Sequence, residues 1–226
     1  MYPIRAIVTY WNDELFKNYT FRSLTKYNFP PENFTTIVDR ERKIYSVASA
    51  FNSINLSEIK EDYLLFLHDD LYFLENPFPT IMDFIKKYPD FGVAGISGRG
   101  FQGECFGMVC QPPGWNLYFY PFFEVKEAQT LDSMFLLVPK KVFERYKFYE
   151  GYFRTHLFAE DYCLTLQEAG YKVYVLPILC YHHSYSSLVE KFQDKIVRDI
   201  PTFKERWKHY HSNIYSTTNE DLNPKH

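Results

Sequence analysis

Three polar residues, His68, Asp69 and Asp70, directly follow an apolar run that extends from Tyr63 to Leu67. A short apolar run between polar residues is typical of a buried strand. A pair of carboxylates at the end of such a strand can hold a hard divalent cation, Mg or Mn, which in turn neutralises a diphosphate. The other interpretation is that the two acids cap the next turn, and these residues alone favour neither.

Other acids and histidines stand at the ends of predicted elements. Glu160 and Asp161 begin the segment "EDYCLTLQEAG", whose acidic start and glycine stop predict a helix, and the helix dipole alone would also favour acids there. Asp132 opens an apolar run, where it has either a binding role or a capping role. His182 and His183 come after the last predicted strand, and each is either a ligand or a structural residue.

The elements that must position these residues alternate along the chain. Apolar runs predict strands and near-helical spacing predicts helices, giving strands at 4–9, 34–39, 63–67, 91–97, 132–139 and 171–178 and helices at 13–27, 45–59 and 160–170. This alternation predicts an α/β sandwich around a mostly parallel sheet. Such sheets bind ligands at the carboxyl ends of their strands, so residues 68–70 are expected to face a cleft.

Composition excludes several classes of function. With 226 residues the default is one domain, and a net charge of -3 with scattered Lys and Arg makes nucleic acid a poor partner. The four cysteines lack the C-x-x-C spacing of a zinc site and indicate reduced thiols. No apolar stretch reaches the ~20 residues of a membrane span and no signal peptide is evident, so we expect a cytoplasmic protein, with peripheral contact at the inner face of the membrane left open.

The segment from Gly98 to Tyr120 begins with a match to a dinucleotide fingerprint, "GRGFQG". The match is rejected, because Gly107, Pro112 and Pro113 stand where the phosphate-binding helix would have to run. The segment is interpreted either as a mobile flap over the cleft or as an irregular surface connection. Trp115 and the aromatic residues after it would stack on an acceptor sugar or contact a membrane surface.

Several short motifs together carry a family resemblance. In chain order they are "AIVTYWN", "IVD", "SAFNSI", "YLLFLHDD", "DSMFLLVPKKVF" and "FAEDYCLTLQEAGYKVYVLPI" followed by "HHS". Their order and spacing resemble those of family 2-like glycosyltransferases of GT-A fold, over about Ile4 to Ser187. The resemblance implies a GT-A (nucleotide-diphospho-sugar transferase) Rossmann-like sandwich in residues 1–187. Residues 188–226 are then a C-terminal helical extension and tail packed on the same domain.

The resemblance assigns donor and metal roles by position. Thr9 and Asp39, at the ends of the first two strands, resemble the nucleoside-binding pair. Asp70 matches the second carboxylate of the D-x-D element and is the implied metal ligand. His68 stands where the first Asp is common, and Asp69 is expected to share its contacts with the donor nucleotide.

The remaining roles concern catalysis and the acceptor. Asp161 matches the general base of the family, and Asp132 and Glu160 match carboxylates on the acceptor and sugar side. Family members often have a histidine after the last strand that reaches the metal, and His183 is the choice of the two here. Trp115 is assigned to the acceptor side.

The implied activity is hexosyltransferase-like, of EC 2.4 type, with Mn or Mg as cofactor and inversion at the anomeric carbon. The expected donor is a UDP-sugar, and the acceptor is a glycan, a lipid-linked molecule or a small molecule. One alternative is a nucleotidyltransferase, although its glycine-rich, basic triphosphate loop is missing near the N-terminus. The other is a non-catalytic module that binds a sugar or a nucleotide sugar.

The C-terminal segment carries one further partial motif. "FKERW" at 203–207 half-resembles the Q-x-x-R-W element of processive polysaccharide synthases, but Phe203 replaces its glutamine. The surrounding segment from Leu188 to His209 is predicted to be a helix that Pro201 interrupts.

Overall fold

The computed structural model describes residues 2–41, 43, 46–111, 116–117, 121–152, 157–183, 198–217 and 221–224. The strands are β1 (Ile4–Tyr10), β2 (Phe34–Val38), β3 (Tyr63–Leu67), β4 (Leu71–Phe73), β5 (Phe91–Gly95), β6 (Ser97–Arg99), β7 (Cys105–Gln111), β8 (Asn116–Leu117), β9 (Lys126–Glu127), β10 (Thr130–Leu131), β11 (Phe135–Pro139), β12 (Lys172–Val175) and β13 (Leu179–His182). The α-helices are α1 (Asp13–Phe16), α2 (Arg22–Lys26), α3 (Val47–Asn52), α4 (Phe78–Lys87), α5 (Lys140–Arg145), α6 (Phe158–Glu168) and α7 (198–206). A π-helical turn spans Lys17–Phe21, and 3-10 turns span Pro31–Asn33 and Leu56–Glu58.

The main sheet has seven strands in the order β2-β1-β3-β11-β5-β12-β9. Strands β11 and β9 run antiparallel to their neighbours, and the other pairings are parallel. Because β11 is antiparallel to β3, its first residue, Phe135, pairs with the last residue of β3, Leu67. Residues 132–134 therefore lie beside residues 68–70, and the amide of His68 donates to the carbonyl of Met134 at 3.0 Å.

A second, smaller sheet has the order β10-β6-β7-β13-β4, with β8 paired to β7. Strand β4 follows the turn at 68–70 and pairs antiparallel with β13, so that Leu71 lies opposite His182. The amide of His183 donates to the carbonyl of Asp70 at 2.9 Å. The second sheet thus brings the histidines of β13 to the carboxyl end of β3.

Two apolar cores cover the two faces of the main sheet, as the alternation of side chains along a strand requires. Phe66 of β3 belongs to one core, together with side chains from α3, α5 and α6, whereas Leu65 and Leu67 belong to the other, which α4 covers. Phe203 and Trp207, at 0% and 2% exposure, join the core of α6. Helix α7 is therefore packed on the same core as the helix that carries Asp161.

The structure corrects four of the predicted elements. The helix expected over 45–59 is short, α3, and gives way to a 3-10 turn. The strand expected from Asp132 begins at Phe135, because the Asp132 carboxylate accepts the amide of Met134 and forms a turn. The loop expected from Gly98 is wrong as far as Gln111, where β6 and β7 form a hairpin. A further strand, β13, follows the one predicted to be last.

Two other predictions concern the C-terminal part and the membrane. The helical residues 198–206 continue through Pro201, so the predicted interruption is wrong for the described part of α7. The expectations for 188–197 and for Trp115 lie outside the described residues. No helix in the described ranges has the length and apolar character needed to cross a membrane.

Candidate active site

Thr20 fixes the turn at 68–70. The π-helical turn Lys17–Phe21 places its fully buried side chain against this turn. The Thr20 hydroxyl donates to the carbonyl of His68 at 2.8 Å and accepts the amide of Leu71 at 3.0 Å. Both ends of the turn are therefore held by one side chain, and π-helical turns of this kind are frequent at functional sites.

His68, Asp70 and His182 form a compact cluster at the carboxyl end of β3. One candidate ligand atom from each residue lies within 4.8 Å of the other two. His182 Nε2 is 3.2 Å from Asp70 Oδ1 and 3.4 Å from His68 Nδ1, while His68 Nδ1 is 4.0 Å from Asp70 Oδ1. Two imidazole nitrogens and one carboxylate oxygen thus face a common point.

Each imidazole of the cluster has a second polar contact on its far side. His68 Nε2 lies 3.2 Å from the hydroxyl of Ser133, in the segment that precedes β11. His182 Nδ1 lies 3.1 Å from the amide nitrogen of Gln111, the last residue of β7. The ring planes are thereby held with Nδ1 of His68 and Nε2 of His182 turned inward.

The charges of the cluster follow from burial and mutual contact. Burial, and secondarily the Asp70 carboxylate, raises the pKa of Asp69 to about 7. Burial also opposes ionisation of Asp70, but His182 and His68 outweigh it and lower its pKa to about 2. Burial lowers the pKa of His68, whereas for His182 the Asp70 carboxylate overcomes burial and raises the pKa. Asp70 is therefore the anionic group of the cluster at neutral pH.

A divalent cation fits this donor set. Asp70 Oδ1 and Asp69 Oδ2 are buried and receive no hydrogen bond in the structure. Unpaired buried carboxylate oxygens are costly unless a cation or water satisfies them. Imidazole together with carboxylate suits Mn better than Mg, which prefers oxygen ligands. His68, Asp70 and His182 are accordingly the residues that could hold a metal ion.

His183, the predicted metal ligand, lies away from the cluster. Its ring stacks on Tyr19 with centroids 4.6 Å apart, and the Tyr181 hydroxyl lies 3.3 Å from its Nδ1. The physical reason is that β13 extends through His182, and successive side chains of a strand point to opposite faces. The geometry therefore favours His182 over His183 as the ligand.

Thr9 and Asp39 lie at the same edge of the sheet as His68. In the parallel pairing of β1 and β3, Val8 lies opposite Leu67, so Thr9 and His68 both come one residue later. The amide of Asp39 donates to the carbonyl of Tyr10 at 2.8 Å, and one Asp39 carboxylate oxygen accepts the amide of Lys43 at 2.7 Å. The structure thus brings the predicted nucleoside pair to the edge that carries the cluster of His68, Asp70 and His182.

A C-terminal segment contacts Glu160 and Asp132, the two carboxylates predicted to lie on the acceptor and sugar side. Residues 213–217, here called the C-terminal strap, cross the start of α6. The Ser216 hydroxyl donates to Glu160 at 2.7 Å, and the Thr217 hydroxyl donates to Asp132 at 3.2 Å. Glu160 is 3% exposed, and its burial raises its pKa to about 7, with Asp132 adding to the rise.

Asp161, the predicted base, is enclosed by donors. Its Oδ2 accepts from the Tyr152 hydroxyl at 2.9 Å, from Arg206 Nε at 2.6 Å and from Trp207 Nε1 at 2.9 Å. The residue is 1% exposed. Burial raises its pKa in spite of these donors. The arginine and tryptophan of the "FKERW" segment therefore bind the carboxylate of α6.

Some functional contacts were missed from the sequence. Gln111 and Thr20 belong to no motif, and Ser133 lies in "DSMFLLVPKKVF" without an assigned role. All three become neighbours of the cluster only through sheet pairing and a π-helical turn. The basic and aromatic pair Arg206 and Trp207 was noted only as a partial motif. Trp115, the predicted acceptor contact, lies outside the described residues.

The sequence matches no protein-family profile and no curated protein. Solved structures do match. GalNAc-T7, crystallised with UDP, GalNAc and Mn2+, has a TM-score of 0.57 and 10% identity over 80% of this chain and 43% of its own. TarS from S. aureus has a TM-score of 0.51 and 16% identity over 88% of this chain and 40% of its own. A197 from STIV has a TM-score of 0.51 and 16% identity over 82% of this chain and 87% of its own.

These similarities establish the fold. The chain spans less than half the length of the GalNAc-T7 and TarS chains, and the identities are too low to carry activity or substrate across. The α/β sandwich of GT-A-like glycosyltransferase type predicted from the sequence is confirmed. The finer assignment to family 2 remains a prediction.

Proposed function

We propose that this chain is a metal-dependent glycosyltransferase that moves a sugar from a nucleotide diphosphate sugar to an acceptor hydroxyl, with inversion at the anomeric carbon. The observation that carries the proposal is the cluster of His68, Asp70 and His182, which places a buried carboxylate oxygen beside two imidazole nitrogens at the carboxyl edge of a GT-A-like sheet. Ligands of α/β sheets bind at this edge.

A UDP-sugar is the proposed donor, and a glycan, a lipid-linked molecule or a small molecule is the acceptor. Two structures of similar fold support this donor class: GalNAc-T7 was crystallised with UDP, GalNAc and Mn2+, and TarS with UDP-GlcNAc. Thr9 and Asp39 would contact the nucleoside, because they lie at the edge beside β3. Asp69 would face the donor nucleotide from the turn that carries Asp70.

The metal would be held by His68, Asp70 and His182. A cation bound there would supply positive charge beside the departing diphosphate. Asp70 contributes the negative charge of the site, since its pKa of about 2 keeps it ionised at neutral pH. The two imidazoles complete the donor set without adding further negative charge.

We propose Glu160, in preference to Asp161, as the general base that takes the proton of the acceptor hydroxyl. Three donors already occupy one oxygen of Asp161, including the cation Arg206. Among the described side chains Glu160 accepts one hydroxyl, that of Ser216, and its pKa of about 7 suits a base that works near neutrality. An acceptor hydroxyl that replaced Ser216 would have the same hydrogen bond.

The proposed sugar transfer forms one bond and breaks one bond at the anomeric carbon. The acceptor oxygen forms a bond to the anomeric carbon, and the bond from that carbon to the diphosphate oxygen breaks with its electron pair. The acceptor proton passes to Glu160. Asp132, close enough to Glu160 to raise its pKa, would lie on the sugar side of the reacting centre.

The proposal is tested by calorimetric titration of UDP with and without Mn2+. We expect binding that requires Mn2+, and we expect Asp70→Asn to abolish it while the fold is retained. The matched control is Asp83→Asn on α4, whose side chain is 82% exposed and forms only an i,i+3 ion pair with Lys86 among the described residues.

Two results would contradict parts of the proposed function. Unchanged Mn2+-dependent affinity in Asp70→Asn would remove the metal role from the cluster. Tight UDP-sugar binding without turnover or hydrolysis, across a panel of UDP-hexoses and simple sugar acceptors, would instead support the non-catalytic binding module.

A further inference from the structure

We propose that Gln111 is a positioning residue that allows His182 to exchange its ring tautomer when a divalent cation binds between His182, His68 and Asp70. This inference rests on the metal site of the proposed function. It extends that function by assigning a role to a residue outside the ligand set.

The hydrogen bonds around the two imidazoles form one chain with a single direction. The Gln111 amide nitrogen lies 3.1 Å from His182 Nδ1 and can only donate to it. His182 Nδ1 is then the acceptor nitrogen, so its Nε2 carries the proton and donates to His68 Nδ1 at 3.4 Å. His68 consequently carries its proton on Nε2, which donates to the hydroxyl of Ser133 at 3.2 Å.

The two histidines therefore differ in whether the ring nitrogen that faces the cluster offers a lone pair to a cation. His68 already presents the lone pair of Nδ1 to the centre of the cluster. His182 presents an N–H instead, and its Nε2 lies 3.2 Å from Asp70 Oδ1, which accepts no well-aligned hydrogen bond. A cation can bind His182 only after the ring proton has moved from Nε2 to Nδ1, because a ligating imidazole nitrogen must offer its lone pair.

Gln111 is suited to both states. Its side-chain amide offers a donor and an acceptor on the same terminal group, and the final torsion of glutamine is broad, so a half-turn exchanges them. With the amide nitrogen inward it supports the Nε2–H tautomer of His182 inferred above, and with the oxygen inward it accepts Nδ1–H in the cation-bound state. Glutamate could support only the second state, and leucine could support neither.

Sheet pairing fixes this contact. β7 and β13 are parallel, with Cys110 opposite Tyr181, so Gln111 and His182 are each the next residue along. Ser133 is placed by β11 in the corresponding way beside β3. The Gln111–His182 and Ser133–His68 contacts are thus set by the backbone pairing of the strands as well as by the orientation of the rings.

The experiment uses the full chain labelled with 15N-histidine. Long-range 15N–1H correlation spectra, recorded at a pH above the raised pKa of His182 so that its ring is neutral, report which ring nitrogen carries the proton. Spectra are recorded without cation and with Cd2+ as a diamagnetic probe. His182→Ala and His183→Ala spectra assign the signals. Mn2+ affinity is measured by calorimetry for the wild type, Gln111→Leu, Gln111→Glu and the exposed control Gln102→Leu.

We expect His182 to change from the Nε2–H to the Nδ1–H form on adding Cd2+, while His68 keeps its form. Gln111→Leu should weaken Mn2+ binding by about 10–100-fold, the usual effect of losing a partner of a metal-ligating histidine. Gln111→Glu should show the Nδ1–H form before any cation is added. Gln102→Leu should bind Mn2+ as the wild type does.

A wild-type His182 that is already in the Nδ1–H form, or Mn2+ affinity within twofold in a folded Gln111→Leu variant, would overturn the inference while leaving the metal site intact. Failure of the wild type to bind either cation would instead overturn the metal site and the proposed function with it.

Discussion

Arg206 Nε donates a 2.6 Å hydrogen bond to Asp161 Oδ2, and this ion pair joins α7 to the start of α6. The same oxygen accepts Trp207 Nε1 and the Tyr152 hydroxyl. Asp161 is 1% exposed, so loss of its charge leaves three donors with a weaker acceptor. Its most direct role in this structure is to hold the C-terminal helix on the domain.

Asp161→Asn should therefore lower the free energy of unfolding by about 1–3 kcal/mol, the usual cost of leaving buried hydrogen-bonding groups poorly paired. Denaturant titration measures this change. Glu160→Gln serves as the comparison, because the Ser216 hydroxyl is the one side-chain donor to Glu160 in the described part of the chain, and the substitution keeps an acceptor.

Measurements of turnover decide whether Glu160 or Asp161 is the general base. Once a donor and an acceptor are known, Glu160→Gln should reduce turnover by about 10²–10⁴-fold with donor binding retained, as expected for loss of a general base. An Asp161→Asn variant that is as stable as the wild type but inactive would return the base to Asp161. Retention at the anomeric carbon, read by NMR of the product, would exclude a single inverting step.

The raised pKa of Glu160 predicts a pH dependence of stability. A carboxyl group with a higher pKa in the folded state binds its proton more tightly there, so the stability contribution is full at low pH and falls as pH rises from about 4.5 to about 7. Each tenfold change in proton affinity corresponds to ~1.4 kcal/mol. The free energy of unfolding of Glu160→Gln, relative to that of the wild type, should therefore rise by an amount of this order as the pH increases from about 4.5 to about 7.

Urea titrations at several pH values measure this difference. The pKa of Asp69 is also raised, to about 7, so Asp69 gives a pH dependence of the same sign. Because Asp69 is present in both proteins, its contribution cancels in the stability difference. A constant stability difference between pH 4.5 and pH 7 would show that Glu160 has an ordinary pKa in the folded protein.

The sequence predicted the first three strands from their β-branched and apolar runs. β1, β2 and β3 lie within about one residue of their expected bounds, although only β3 is buried along nearly its whole length and β2 has no buried residue. The expected helix after β2 is too long, since its apolar spacing continues past Asn52 into a 3-10 turn. A helical period cannot distinguish these two kinds of turn over so few residues.

The candidate site was less predictable for a different reason. Residue type placed Asp70 and the histidine pair at strand ends, but the choice between His182 and His183 depended on one residue of strand length. Gln111 and Ser133 reach the imidazoles only because β7 and β11 pair where they do. Such long-range pairing leaves no local pattern in the sequence.

Thr20→Val should loosen the turn that carries the proposed ligands. The substitution keeps the shape of the side chain but removes the bonds to His68 and Leu71, at a cost of about 1–3 kcal/mol in the free energy of unfolding. Mn2+ affinity should fall as well. Thr25→Val is the control, because the hydrogen bonds of the Thr25 hydroxyl to described residues go to carbonyls of its own helical segment. Equal Mn2+ affinity in both variants would show that Thr20 supports the fold but not the cluster.

Gln129→Leu should release the C-terminal strap. The buried Gln129 amide donates to the carbonyl of Asn213 at 2.7 Å and accepts the amide of Tyr215 at 2.9 Å. Loss of two hydrogen bonds, each worth about 0.5–1.5 kcal/mol, should speed amide exchange in residues 213–217 by roughly tenfold or more. Hydrogen exchange measured by mass spectrometry tests this, with Gln102→Leu as control. Unchanged exchange would show that other contacts hold the strap.

The two adjacent histidines, His182 at the end of β13 and His183 directly after it, have a consequence for deletions before this strand. A slip of one residue between β4 and β13 turns every side chain of the slipped strand to the other face. In most strands such a slip would remove the proposed ligand, but here the loss of one residue would carry His183 to the position opposite Leu71 that His182 leaves. A variant with one residue deleted before Leu179 should therefore retain a histidine facing Asp70, whereas one inserted residue would place Tyr181 there.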